Sequence, residues 1–272
     1  MLELFFIAVR TGNYVKMACN AAMTFKVEGT TTTLLTEAKL YQDNKRLVDT
    51  YFDNVVICDA GIDAGYLKVS FTDYRLGKET LFIDADSLCV PNKSIVDAVA
   101  GIDVDFWLNA WSVTDSGGYV KSHWGNYAKI KKLFNLEGNI ANGMQSSAIY
   151  IGENTDIIDV AKEVYGVINN NRDVLTTKWM KNFIPDELVW SISTNLMGYD
   201  PYVFTNNKLG IGFVERIVRI DKRFYLDNHN LLTFPCGYHT LRSNLKTFYS
   251  EITLQHCKSK GIKVFYRYID KV

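Results

Sequence analysis

Apolar positions fall in short solid runs separated by stretches with helical spacing. Leu2 to Val9 is a first run, and after it Tyr14, Met17, Ala18, Ala21, Ala22 and Phe25 recur at the spacing of one helix face. A second β-rich run, Thr32–Thr36, precedes a polar helix-like segment over Glu37–Asp49, and further strands are predicted at Asn54–Cys58 and Thr80–Ile83. Strands of this length alternating with helical patterns predict an α/β chain with a largely parallel sheet, whose two hidden faces explain runs that are apolar throughout. Farther on, Asp105–Ala110 and Ser147–Ile151 read as strands. Residues Asp156–Ile168 form an amphipathic helix with Ile157, Val160, Ala161, Val164, Tyr165 and Ile168 on one face and Thr155 as N-cap. Pro185 opens a helix from Asp186 to Met197 that Gly198 closes. A tail helix from Thr240 to about Ser259 ends near Gly261 and is followed by a strand at Val264–Ile269. With no repeat and no linker, residues 1–272 read as a single domain.

Composition narrows this without redirecting it. The 272 residues are 47% hydrophobic and 22% charged, too apolar for a disordered chain. Lys+Arg and Asp+Glu both number 30, which argues against a protein built mainly to coat nucleic acid. The charge is uneven: residues 1–110 carry 10 basic against 15 acidic side chains, and 240–272 carry 7 against 2. The tail's Lys246, Lys258, Lys260, Lys263 and Arg267 suit a phosphate, a nucleic acid or an acidic membrane, or form a solvated helix face. Five cysteines with no C-x-x-C pair fit a reducing compartment. No stretch approaches the ~20 apolar residues of a membrane span, and the expected location is cytoplasmic.

The chemistry-bearing passage is Thr80-Leu-Phe-Ile-Asp84-Ala-Asp86, an apolar strand that stops on two aspartates. Ligands of open α/β sheets bind beyond the carboxyl ends of the strands. Two carboxylates so close repel unless a cation, a strong donor or a shared proton relieves them, and a hard divalent ion, Mn²⁺ or Mg²⁺, would also hold a diphosphate. The bland alternative is a turn or N-cap pair. A second copy, Asp103-Val-Asp105, leads into a strand and reads as surface.

The run Glu79-Thr-Leu-Phe-Ile-Asp-Ala-Asp-Ser-Leu-Cys-Val90, the first strand leading into a Tyr-containing helix, and the order of later motifs resemble nucleotide-sugar-dependent glycosyltransferases of the GT-A type, nearest the retaining branch of glycogenin and bacterial galactosyltransferases. The resemblance, over roughly residues 3–245, implies a Rossmann-like domain with a mixed, mostly parallel central sheet flanked by helices. It implies a nucleotide-binding half over 1–110 and an acceptor-side half over 111–272 with the basic C-terminal helix. The donor would be a nucleotide diphosphate sugar, with a UDP-sugar favoured. Ala8, Arg10 and Tyr14 would meet base and ribose, Arg10 standing where the family has an acidic residue. Lys68 would touch the donor, and Asp84, Asp86 and His239 would hold the metal, with His229 as the alternative histidine. Arg242 or Lys246 would neutralise phosphate. Asn142 and Gln145, in a polar, glycine-containing loop that begins at Asn139 and runs into the strand at Ser147–Ile151, would contact the transferred sugar. Asp186 and Glu187 would act beside the anomeric carbon, although helix capping alone accounts for Asp186.

The expected reaction moves a sugar from that donor to a hydroxyl acceptor: a saccharide, a protein, or a hydroxymethylated pyrimidine in DNA as in virus-type DNA glycosyltransferases. Lys129, Lys131 and Lys132 keep the DNA acceptor open. Trp107, Trp111, Trp124 and Tyr127 either stack on a base or sugar ring or belong to the core. A nucleotidyltransferase and a non-catalytic sugar-nucleotide binding module are the competing classes.

Overall fold

The computed structural model describes residues 1–89, 94–114, 124–176, 183–206, 208–209, 253 and 257–261. They fall into two compact units. The first takes in Met1–Gly61, Arg75–Asp103 and the described residues from Lys208 onward; the second takes in Ile62–Tyr74 and Val104–Asn207.

The first unit carries four strands, β1 (Leu2–Ala8), β2 (Thr30–Glu37), β3 (Asn54–Cys58) and β4 (Thr80–Asp84), all parallel, in the order β3-β2-β1-β4. Helices α1 (Gly12–Phe25) and α2 (Ala38–Tyr51) follow β1 and β2 and pack on each other. β1 is buried along its whole length, as a central parallel strand should be. β2 is rich in threonine, whose branched side chain suits a strand but whose hydroxyl needs a partner when buried. Each is supplied: Thr32 donates to the Tyr51 carbonyl at 3.0 Å, Thr33 to Glu3 at 2.6 Å and Thr36 to the Ala8 carbonyl at 2.6 Å. β3 departs from the expectation that every apolar run is hidden. It is the edge strand, only Cys58 in it is buried, and Ile57 is 46% exposed.

At the amino end of β1, Glu3 is buried among donors. Besides Thr33, its carboxylate accepts from Leu76 N at 3.1 Å, Gly77 N at 2.9 Å and Thr80 Oγ1 at 3.1 Å, pinning the loop before β4. A short helix α4 (Ile95–Ala100), capped by Ser94, completes this unit's named elements.

The second unit holds β5 (Phe106–Thr114) and β6 (Ile140–Ile151), an antiparallel pair, with helices α3 (Ala64–Ser70), α5 (Tyr127–Phe134), α6 (Asp156–Asn170) and α7 (Asp186–Leu196). Its core is aromatic: Phe106 stands 5.3 Å from Trp190 and 5.9 Å from Phe204, ring centre to ring centre. Both strands outrun their predicted spans, and the loop expected between Asn139 and the strand at Ser147 is instead, from Ile140 on, the first part of a twelve-residue strand. The pairing steps from Leu108↔Ile149 to Asn109↔Gln145, a bulge that breaks the alternation by which the strand would have been recognised. Thr155 occupies the N-cap of α6 but its side chain makes no cap bond; Asn154 Oδ1 accepts from Asp156 N at 3.0 Å instead. Asp103 pairs with Lys208 at 2.6 Å, in keeping with a surface role.

The overall architecture is α/β with mixed, mostly parallel strands flanked by helices, as expected. Of the predicted tail helix only residue 253 and residues 257–259 are described, and they are helical; the predicted strand at 264–269 lies outside the described residues.

Candidate active site

In the first unit the sheet's carboxyl edge is built by the ends of β1, β2 and β4. β1 stops at Ala8, and Arg10 turns the chain with φ 73, a left-handed conformation that a non-glycine residue adopts at a cost. Arg10 N donates to Glu37 Oε1 at 3.0 Å, so a carboxylate from the end of β2 holds the turn. Thr11 is the N-cap of α1, yet its hydroxyl makes no cap bond and is buried without a hydrogen-bond partner. Ala8 is fully buried, and Tyr14, in the first turn of α1, is partly exposed. The positive end of a helix of this length favours an anion.

β4 runs beside β1, with Asp84 level with Ile7. The chain then reverses: Ser87 N donates to the Asp84 carbonyl at 3.0 Å, so Asp84-Ala85-Asp86-Ser87 is a tight turn closed by backbone. Asp84 and Asp86 are partly exposed while Ala85, Ser87, Leu88 and Cys89 are buried. Cys89 N donates to Thr24 Oγ1 at 3.0 Å, which anchors the turn's far side to the last turn of α1. Neither aspartate caps α4, whose cap is Ser94. Two hard oxygen ligands on one turn suit Mg²⁺ or Mn²⁺, whose remaining positions water and phosphate oxygens fill. Among the described residues no third acid, cysteine or histidine joins them to make a metal-holding group. All four histidines, His239 and His229 included, lie outside the described residues, as do Arg242 and Lys246.

The second unit brings together a different set. Asp63 caps α3, accepting from Gly65 N at 2.8 Å and Tyr66 N at 3.3 Å, and also from the Tyr165 hydroxyl of α6 at 3.0 Å. Burial and the neighbouring Asp63 charge push the Tyr165 hydroxyl well above the ordinary tyrosine range, so it stays a donor at all working pH. α3 carries Lys68 in its last turn, and Lys68 Nζ stands 3.8 Å from Asp186 Oδ2. Gly65 lies against the Ile184 carbonyl, where a Cβ would come within 2.8 Å. The helix bearing the lysine is thus held against the chain leading into Asp186.

Capping does not explain Asp186. The N-cap of α7 is Pro185, no side chain caps that helix, and Asp186 is its first residue, 6% exposed, with Oδ2 lacking any hydrogen-bond partner. It stands at the positive end of α7, with the Lys68 ammonium 3.8 Å from it. Glu187 beside it is partly exposed. Gln145 is buried in β6 and accepts from Asn109 Nδ2 at 2.5 Å, while Asn142 sits three residues earlier in the same strand, partly exposed. Of the aromatic candidates Trp107 is fully buried and Trp111 is exposed. Lys129 pairs with Asp173 at 2.8 Å, so the Lys-Ile-Lys-Lys run is partly engaged within its own unit.

Sequence reasoning gave no site role to Asp63, Tyr165 or Asn109, Tyr165 being read only as part of the apolar face of α6. An aspartate directly before an Ala-Gly-Tyr-Leu helix start is a cap signal that could have shown Asp63. Nothing local marks Tyr165, whose partner lies 102 residues away.

The fold is that of GT-A-type glycosyltransferases, as the sequence resemblance implied. The galactosyltransferase LgtC, solved with donor and acceptor sugar analogues, superposes with a TM-score of 0.53 at 14% identity, over 93% of this chain and 95% of that one. Mouse xyloside xylosyltransferase 1 superposes with a TM-score of 0.50 at 9% identity, over 85% of this chain and 96% of that one. The glycosyltransferase GlyE of Streptococcus pneumoniae aligns over 99% of this chain and 67% of its own at a TM-score of 0.48 and 11% identity. No protein-family description and no curated protein sequence matches the chain.

Proposed function

We propose that the protein is a metal-dependent glycosyltransferase that moves a sugar from a nucleotide diphosphate sugar to a hydroxyl acceptor. The observation that carries this reading is the turn at Asp84 and Asp86, where a buried parallel strand of a glycosyltransferase-like fold ends on two partly exposed carboxylates. Asp84 and Asp86 would hold Mn²⁺ or Mg²⁺, with His239 or His229 as a third ligand. The ion supplies charge to the departing diphosphate. The Arg10–Tyr14 turn would receive base and ribose, a uridine nucleotide being favoured, and the start of α1, with its Thr11 hydroxyl, would donate to phosphate. Arg242 or Lys246 would add positive charge.

In the second unit Asp186, whose Oδ2 has no hydrogen-bond partner among the described residues, would accept from a sugar hydroxyl, with the Lys68 ammonium 3.8 Å away. Glu187, Gln145 and Asn142 would complete the polar surface offered to the sugar. Four described cysteines are free thiols, in keeping with a reaction in the reducing cytoplasm; no described helix is long and apolar enough to cross a membrane.

The test is a thermal-shift panel of nucleotide sugars with and without Mn²⁺, since a ligand of the native state raises its melting temperature. A metal-dependent rise with one donor is expected, and it should vanish in Asp86→Asn while that variant alone melts like the parent. A rise that persists in EDTA overturns the metal role. Released nucleoside diphosphate supports glycosyl transfer; released pyrophosphate indicates a nucleotidyltransferase.

A further inference from the structure

Trp111 is an exposed indole seated on bare backbone. Ala110 pairs with Met144 and Ser112 with Asn142, so Trp111 of β5 falls opposite Gly143 of β6. A Cβ at Gly143 would lie 3.3 Å from both Cβ and Cγ of Trp111, and Gly143 has φ +63, so two independent constraints reserve the position for glycine. Glycine inside a strand weakens it, and in strands it marks a close approach. The indole above it nevertheless remains 52% exposed, so the largest side chain of the set is not buried in return.

Two residues back along the strand, and so on the same face, is Asn109, opposite Gln145. The two amides are bonded to each other, Asn109 is only 6% exposed, and its Oδ1 is buried with no donor. An acceptor left in that state is unfavourable until something donates to it. A glycine-seated exposed aromatic and a donor-starved amide thus occur side by side on one strand pair. A pyranose ring answers both: one of its faces is a patch of C–H groups that stacks on an aromatic, and its rim is a set of hydroxyl donors.

We propose that Trp111, seated on Gly143 beside the Asn109–Gln145 amide pair, is the stacking platform for a sugar ring of the acceptor. This rests on the glycosyltransferase reading above, which assigns the nucleobase to the Arg10–Tyr14 turn and so leaves the ring at Trp111 to a saccharide.

The experiment uses the full chain with ¹⁵N-labelled indoles. Its five tryptophans give five indole signals, and Trp111→Phe assigns the one concerned. Methyl glycosides of glucose, galactose, N-acetylglucosamine and xylose are titrated in turn. The expected result is saturable movement of the Trp111 signal with at least one glycoside, and at least tenfold weaker binding of that glycoside to Trp111→Ala, read by saturation transfer to the sugar protons. Gly143→Ala, which displaces the indole without removing it, should weaken the same binding. A Trp111 signal that stays fixed with all four overturns the proposal, and so does a folded Trp111→Ala that binds as the parent does. UDP with Mn²⁺ on the same samples reads the donor side separately. Loss of that thermal shift in the parent removes the donor reading and leaves the glycoside result standing, and Trp111→Ala should keep the shift.

Discussion

Lys68 is the charge partner of a carboxylate that has almost no water: its Nζ stands 3.8 Å from Asp186 Oδ2, and the Asp186 side chain is 9% exposed against 22% for the lysine. The two ends of the pair are therefore unequal. Lys68→Met leaves a buried negative charge with no counter-ion, whereas Asp186→Asn leaves an ammonium that still reaches solvent. We expect Lys68→Met to lose about 1–3 kcal/mol of stability and Asp186→Asn less, read from urea midpoints. Activity should follow the opposite order, with Asp186→Asn losing the more turnover.

The glycine at 65 is what lets α3 carry that lysine so near. Gly65→Ala places a methyl within 2.8 Å of the Ile184 carbonyl, a backbone atom that cannot step aside alone. The expected cost is about 1–3 kcal/mol, as for overpacking elsewhere. Gly166→Ala, in α6 with nothing within 4 Å of the added methyl, is the control and should be neutral or slightly stabilising in the same melt.

Glu3 ties β1, β2 and the loop before β4 through one carboxylate. Glutamine keeps the size but turns an NH₂ toward donors, so Glu3→Gln should cost about 2–3 kcal/mol, and proteolysis should then cut first between Tyr74 and Glu79. An unchanged urea midpoint would show that the network contributes nothing.

Acid should weaken the first unit through Asp53. Burial pushes this carboxyl up, but the Lys26 ammonium at 2.6 Å and the Thr32 amide and hydroxyl outweigh it and hold it below its ordinary range. A group depressed in the folded state contributes fully above its unfolded pKa of about 4, and that contribution fades as the pH falls through the folded value. Asp53→Asn should therefore be less stable than the parent at neutral pH and converge with it in strong acid. The pair is more than a third exposed, so the difference should be small and should shrink further in salt.

The parallel half of the fold was legible because its signals are local. The Leu2–Ala8 run, the helical spacing from Tyr14 to Phe25 and the strand ending on Asp84 each lie within one element, and the structure matches them to within a few residues. The antiparallel pair was legible only in part: Asp105–Ala110 and Ser147–Ile151 read as strands, but Asn142, Gly143 and Gln145 read as a loop when taken alone and become a strand only through pairing with Asn109, Ala110 and Ser112. Helices α3, α4 and α5 are too short for a periodic pattern to register. At the site, sequence chemistry singled out Lys68 and Asp186 separately. That they are partners, and that Tyr165 and Asp63 hold the helix between them, follows from contacts more than a hundred residues apart.

Lys260 places its ammonium on the open end of α1, donating to the Met23 carbonyl at 2.7 Å and the Lys26 carbonyl at 2.8 Å, and burial lowers its pKa. The helix that begins at the Arg10–Tyr14 turn is therefore finished by a residue made 237 positions later than its partner. During synthesis that helix end stays uncovered until some 237 further residues have been made, an interval in which a chaperone has most to protect.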